Sequence, residues 1–322
     1  MLVVYGDLHL SDSRPWSWEV SNKIVDFILD HPLNNETNTA IFLGDITEDA
    51  FLSGQVFDLM VKLFSQLKFF HTYVLVGNHD LKKNKQGQLT LSFKFLKRKM
   101  FEDRVTVIDE PYRFLNDGIK VLALPWKPDM KAYEEMNVSC DLLVGHFQDK
   151  TCNLPGETIN IDCIKAKHIC LGHIHDENLP NYIGSMVPNS IKGAGLPRFI
   201  RTYEKDRGES LVSIPHIMDY CFVTFPDPLP TVDTLTPVWT VYGCADESTA
   251  KAHYGDIAKA HYGDIYIKEA IFDVSMDKEA FKNFGSAGTK TVSIEDIYGE
   301  WEKTAQYDPS ILKLAKGYFM SG

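Results

Sequence analysis

The chain opens on an uninterrupted apolar run, Leu2-Val3-Val4-Tyr5, that stops at Gly6-Asp7, and runs of this kind recur through its first half. A short apolar run bounded by a turn signal is the pattern of a strand buried on both faces. It predicts strands over 2–5, 39–43, 72–76, 120–124, 141–144 and 168–171. Between the early strands lie amphipathic stretches. Ser17 to Leu29 puts Val20, Ile24, Phe27 and Ile28 on one side of a helix, and Leu52 to Leu67 does the same with Val56, Leu59, Met60 and Leu63. Strands alternating with helices predict a layered α/β domain.

The texture changes in the second half. Pro180 and Gly193-Ala194-Gly195 punctuate the chain, and Glu204 to Glu209, centred on Asp206-Arg207-Gly208, reads as a hairpin turn, so the first domain is expected to span 1–214. Strand-like runs at 220–225 and 238–242, separated by the proline-rich Phe225 to Pro230, predict a small second domain over 215–285. Within it Ala250 to Ile257 is repeated verbatim as Ala258 to Ile265, which reads as an enlarged loop or an extended helical turn. The remainder, 286–322, is a helical tail. Ser293 and Asp296 can cap a helix carrying Ile294, Ile297, Tyr298, Trp301 and Ala305 on one stripe, and Asp308-Pro309 starts another bearing Ile311, Leu312, Leu314, Tyr318 and Phe319. Such faces either pack on their own domain or dock into a partner's groove.

A length of 322 residues fits about two domains, and 44% apolar with 24% charged residues excludes a disordered or collagen-like chain. No apolar run approaches the ~18 residues of a membrane span, and Met1 leads straight into a strand rather than a secretory signal, so no membrane association and a cytoplasmic location are expected. None of the six cysteines forms a C-x-x-C pair, which fits reduced structural thiols. The net charge of −11 opposes nucleic acid overall, but Lys82, Lys83, Lys85, Lys94, Lys97, Arg98 and Lys99 lie together with no acidic residue between Leu81 and Phe101. That local +7 is either a solvated helix face or a phosphate grip.

Chemistry is concentrated at strand ends. Five apolar runs each stop at glycine followed by a metal-binding residue type: Gly6-Asp7-Leu8-His9, Gly44-Asp45, Gly77-Asn78-His79-Asp80, Gly145-His146 and Gly172-His173-Ile174-His175. Ligands gather at the carboxyl ends of strands in open α/β sheets, so the tips can converge. A lone Gly-Asp is usually a turn, as at Asp256 and Asp264, where no apolar strand precedes it. In conjunction, two carboxylates, an amide oxygen and four imidazoles are a mixed oxygen and nitrogen shell suited to manganese, iron or zinc. They exceed what one ion needs and sort into a pair of ions ~3.5–4 Å apart, the arrangement phosphatases and nucleases use to acidify water and neutralise phosphoryl charge.

The motifs D-x-H, G-D, G-N-H-D, G-H and G-H-x-H, in this order from Asp7 to His175, resemble the calcineurin-like metallophosphoesterase superfamily. The resemblance implies a layered β-sandwich flanked by helices. It also implies two divalent ions, Mn²⁺ foremost with Fe²⁺ or Zn²⁺ as alternatives. One ion would be held by Asp7, His9, Asp45 and His175, the other by Asp45, Asn78, His146 and His173. His79 would be the histidine that stabilises the transition state or protonates the leaving oxygen, and Asp80 the carboxylate that orients it. Many phosphomonoesterases of this superfamily carry an arginine soon after G-D. Here Asp45 is followed by Ile46-Thr47-Glu48-Asp49, which points away from the phosphoprotein phosphatases.

Past the last metal motif, Tyr182-Ile183-Gly184-Ser185 resembles the Y-x-G-S stretch of the SbcD-type nucleases of double-strand-break repair, a group that includes the phage recombination nuclease subunit. That resemblance implies a small α+β capping domain, a helical tail docking on an SMC-like ATPase through residues such as Ile297, Trp301 and Leu312, a homodimer, and DNA as substrate, gripped by Lys82, Lys83, Lys85, Lys97 and Arg98. A nucleotide or small-molecule phosphodiesterase on the same metals, and a non-catalytic scaffold, are the alternatives.

Overall fold

The computed structural model describes residues 1–14, 16–49, 52–83, 89–97, 101, 103–152, 154–175, 179–188, 193, 195–224, 227–229, 231–242, 248–254 and 266–271. Contacts divide the chain into two compact units, Met1–Phe272 and Asp273–Gly322. The second unit, with Ile297, Trp301 and Leu312, lies outside the described residues.

Successive side chains of a strand point to opposite faces, and a strand apolar at every position therefore serves two cores. β1 (Leu2–Tyr5) sends Val3 and Tyr5 into one cluster and Leu2 and Val4 into another, and β2 (Thr39–Phe42) divides Ala40 and Phe42 from Ile41 in the same way. These strands pair in parallel with each other, and β2 does so with β3 (His71–Leu75), which in turn pairs with β6 (Val105–Ile108). The hairpin of β11 (Arg198–Glu204) and β12 (Gly208–Ile214) adds antiparallel to β1, giving the order β12-β11-β1-β2-β3-β6.

A second sheet runs β10 (Ile164–Gly172), β9 (Val138–His146), β8 (Ile119–Leu124) and β7 (Tyr112–Asn116), with β8, β9 and β10 parallel. Leu2, Val4, Ile41 and Leu75 of the first sheet meet Val121, Ala123, Leu142 and Val144 of the second in a buried apolar interlayer. Helices α1 (Ser17–Asp30) and α2 (Gly54–Gln66) cover the first sheet's outer face through Val20, Ile24, Ile28, Val56, Leu59, Met60 and Leu63. The predicted layered sandwich flanked by helices is the observed architecture. α2 starts where Ser53 Oγ accepts the Val56 N–H at 3.1 Å, and α1 stops at His31, held extended before Pro32.

The pattern of apolar runs passed over β6 and β7. β7 is an edge strand with Tyr112, Arg113 and Leu115 exposed, and its hairpin to β8 turns on Asp117 and Gly118, both at positive φ (49° and 79°), the primed two-residue turn that suits Asp-Gly. The basic segment departs from a helix face: β4 (Leu81–Lys83) pairs with β5 (Leu89–Leu91) as a short antiparallel hairpin, followed by a 3₁₀ turn over Lys94–Lys97.

The strands expected at 220–225 and 238–242 are present as β13 (Asp219–Thr224) and β14 (Pro237–Tyr242), joined in a parallel sheet by β15 (Tyr266–Ile271). Their own core holds Cys221, Val223, Trp239 and Val241 with Ala250 and Tyr254 of a helical segment over 248–254, so the first copy of the duplicated octapeptide begins as helix. Met218, Tyr220 and Val238 pack into the cluster that α1 also fills, and Lys23 Nζ on α1 donates to Leu235 O at 2.8 Å. No helix among the described residues is long and apolar enough to cross a membrane.

Two glycines make the packing testable. A Cβ on Gly6 would lie 2.0 Å from Gly184 O, whereas one on Gly54, in the first turn of α2, meets nothing within 4 Å. Gly6→Ala should therefore lower unfolding free energy by about 1–3 kcal/mol or more, while Gly54→Ala should raise it by about 0.4–1 kcal/mol. Urea denaturation of the two variants checks both signs.

Candidate metal centre

β1, β2 and β3 run parallel in one sheet and β9 and β10 in the other, so each sheet delivers its motif-bearing tips at strand ends of one polarity. The tips interlock through the backbone: the Leu8 and His9 N–H groups donate to Asp45 O at 3.1 and 2.9 Å, and Met186 N–H to Asp7 O at 3.0 Å. The last bond places Tyr182 to Ser185, the stretch singled out after the final motif, beneath the Asp7 turn, where Ser185 bridges Asp7. Gly77 is required for close approach, since a Cβ there would sit 2.2 Å from Asp45 Oδ1. Four described non-glycine residues adopt positive φ, and three of them are His9 (48°), Asp45 (45°) and His173 (79°). A left-handed backbone at such residues costs of order 1–3 kcal/mol each and persists only where the surroundings impose it.

All seven side chains expected as ligands come together, in two groups. In the first, His175 Nε2 lies 3.0 Å from Asp7 Oδ2 and 3.1 Å from His9 Nε2. In the second, His146 Nε2 lies 3.2 Å from Asp45 Oδ2, while Asn78 Oδ1 sits 3.2 Å from His146 Nε2 and 2.9 Å from His173 Nδ1. Asp45 links the groups, with Oδ2 at 4.0 Å from His9 Nε2. Donor atoms of Asp7, His9 and His175, of Asp45, His146 and His173, and of His9, Asp45 and His79 lie within 4.8 Å of one another in each set. The donors fit divalent cations. Two imidazole nitrogens face each other at 3.1 Å, and the buried Asp7 Oδ1 has no hydrogen-bond partner, an arrangement that a shared cation satisfies and a proton only partly does.

The electrostatics of this crowd are strongly perturbed. Burial disfavours charge on Asp45, yet His146, then His9 and His79, hold its carboxyl well below the usual range. Burial likewise opposes protonation of His146, but Asp45 and Asp7 overcome it and push the imidazole up to about 9. His173 falls to about 4 through burial and then the charge of His146.

Outer contacts aim the rings. His146 Nδ1 donates to Leu43 O at 2.8 Å, which turns Nε2 toward Asp45. Glu48 does two jobs that the sequence reading did not assign. Its carboxylate lies 2.7 Å from His9 Nδ1, and its backbone oxygen accepts from His79 Nδ1 at 2.6 Å. The signal was present as a carboxylate three residues beyond Asp45 in the same turn. Asp80 differs from expectation. Rather than orienting His79, its buried carboxylate accepts from Gly77 N at 2.8 Å and Thr47 N at 3.2 Å, bracing the two turns that carry Asn78 and Asp45. Burial, then the nearby Asp45 charge, raises its pKa to about 7. His79 N–H donates to Asp45 Oδ1 at 2.9 Å.

Of the residues expected to grip DNA, Lys82 and Lys83 lie on the hairpin that follows Asp80, and Lys97 pairs with Asp109 at 2.5 Å. Lys85 and Arg98 lie outside the described residues.

A two-layer α/β sandwich presenting two linked groups of carboxylate and imidazole donors at parallel strand ends defines a metal-dependent phosphoesterase. Residues 1–177 match the model of the calcineurin-like phosphoesterases, and the chain belongs to that family. A solved structure, that of the protein of unknown function AQ665 from Aquifex aeolicus, is similar at 18% identity and a TM-score of 0.30, over 52% of this chain and 87% of that one. No curated protein matches the chain. Divalent ions, when bound, supply a Lewis acid for phosphoryl oxygen and lower the pKa of water. The chain itself holds the donors in register, excludes water behind them with Leu43 and Val76, and presents His79 with Nδ1 anchored, leaving Nε2 as the nitrogen able to pass a proton.

Titration of metal-free protein with Mn²⁺ in a calorimeter should find two sites per chain, and Asp45→Ala should lose both. Glu48→Ala should weaken binding by about 10–100-fold through release of His9, whereas Asp49→Ala, exposed one residue on, should leave it unchanged.

Proposed function

We propose that this phosphoesterase is an Mn²⁺-dependent nuclease that hydrolyses phosphodiester bonds of DNA in repair or recombination, resembling the SbcD type, as a homodimer working with an SMC-like ATPase. The observation that carries the hydrolytic part is the pair of donor groups linked through Asp45 with His79 beside them. In this reading His79 as imidazolium delivers its Nε2 proton to the leaving oxygen and is left as the neutral Nδ1–H form, while the Glu48 carbonyl accepts from Nδ1 in both states and so orients the ring. A diester is favoured over a phosphoprotein monoester because Asp45 is followed directly by Ile46-Thr47-Glu48-Asp49, with no arginine among them. DNA is favoured by the lysine-bearing hairpin that leaves the site at Leu81 and by the 147 residues beyond His175 that a minimal phosphoesterase does not need. The ATPase and the tail that would bind it rest on the resemblance alone.

Linear DNA incubated with Mn²⁺-loaded protein should be degraded, and His79→Ala should slow this by about 10²–10⁴-fold with metal content retained. Rapid hydrolysis of bis-p-nitrophenyl phosphate or cyclic nucleotides with intact DNA would replace the nuclease by a small-molecule phosphodiesterase. Loss of neither activity in His79→Ala would remove the histidine from the mechanism. For the partner, Trp301→Asp should abolish co-purification with the ATPase; aggregation of the whole protein instead would place that helix in its own core.

A further inference from the structure

Beside the metal centre lies a cleft that the sequence reading left unassigned. It is small and half open, with about 60 Å³ accessible to water, and His9 and Glu48 are among its lining residues, so it adjoins the donors. The loop between β1 and α1 also lines it, with Ser11, Ser13, Arg14 and Trp16, as does Tyr220 near the start of β13.

Arg14 is the cation of this cleft, and three contacts hold it in place. Its backbone N–H donates to Ser17 Oγ at 2.9 Å while Ser17 Oγ donates back to Arg14 O at 2.8 Å, pinning the loop to the first turn of α1. The guanidinium carbon lies 6.0 Å from the centroid of the buried Trp16 ring, and the guanidinium is close enough to the Tyr220 side chain for its charge to act on the phenol. A guanidinium carries five N–H donors in a planar fork, a geometry that matches phosphate oxygens. Glu48, whose carboxyl the Arg14 charge helps to hold low, lies 2.7 Å from His9 Nδ1. Ser11 Oγ and Ser13 Oγ, 2.8 Å apart, add hydroxyls to the same wall. An exposed arginine with hydroxyl neighbours, lining the same cleft as His9 and Glu48, is suited to a second phosphate next to the one at the donor groups.

We propose that this cleft receives the internucleotide phosphate adjacent to the scissile one on a single nucleic-acid strand, with Arg14 as the residue that recognises it and Tyr220 as the residue that positions Arg14. The inference rests on the phosphodiesterase reading and deepens it by specifying a substrate with at least two consecutive phosphates.

Two measurements test it. The first compares kcat/KM for the trinucleotide dTpdTpdT, which has two phosphates, with that for dTpdT, which has one. The native protein should prefer the trinucleotide, and Arg14→Ala should cut that preference about tenfold, with Arg14→Lys intermediate. The second measures binding of a labelled dT oligomer to the Mn²⁺-loaded His79→Ala protein as a function of salt. Adding Arg14→Ala should reduce the salt slope by about one. An unchanged preference and slope, an equal loss on both substrates, or displacement of the oligomer by orthophosphate at equal phosphate concentration would overturn the assignment. If the native protein cleaves both substrates without preference, the phosphodiesterase reading stands and the Arg14 site falls. If it cleaves neither, nor bis-p-nitrophenyl phosphate, both fall together.

Discussion

Like charges and lone pairs crowded at strand ends are the constraint around which this molecule is built. Asp7, Asp45 and His146 are almost wholly buried, and His9, His173 and His175 press against them. In a low-dielectric interior such a set is tolerable only when carboxylates and cationic groups alternate at close range. The contacts obey this: His175 meets Asp7, His146 meets Asp45, and Asn78 Oδ1 sits between His146 and His173. What protonated imidazoles do partially in the metal-free protein, divalent cations do more completely. Binding of the ions and satisfaction of the buried donors are one physical requirement.

Holding that crowd has a backbone cost, visible as positive φ at His9, Asp45 and His173. The compensation lies in the surrounding packing and bracing. Behind the strand tips, two apolar layers fix β1, β2 and β3 on both faces, and Asp80 ties the Gly77 turn to Thr47, next to Asp45. Asp80 thus acts on the frame that supports the donors. Glu48 touches both His9 and His79 and so couples the orientations of the two imidazoles.

The third sheet belongs to this picture through packing. Tyr220 and Val238 share a core cluster with α1, and Met218 and Tyr220 reach the cleft next to His9. A segment that reads in sequence as a separate small domain therefore contributes a wall next to the site. In the proposed role, that wall converts a general phosphoester centre into one that measures what lies beside the scissile phosphate.

Much was legible from residue order. Apolar runs ending in Gly-Asp, Gly-Asn-His-Asp and Gly-His marked both the buried strands and the donors, because a strand enclosed on two faces has no polar positions until it reaches the tip. The helices were legible from spacing, with Ser53 setting where α2 begins. The edge strand β7 escaped because one of its faces is solvated and its side chains carry no continuous apolar signal. Only the tertiary structure decided which partner each donor meets. That Glu48 rather than Asp80 holds His79, and that Arg14 and Tyr220, 206 positions apart, share a cleft, depend on how separate turns are brought together. Residue type and local order specify which groups can coordinate or donate; the distance between groups on different strands is set by sheet pairing and layer packing, which no local pattern encodes.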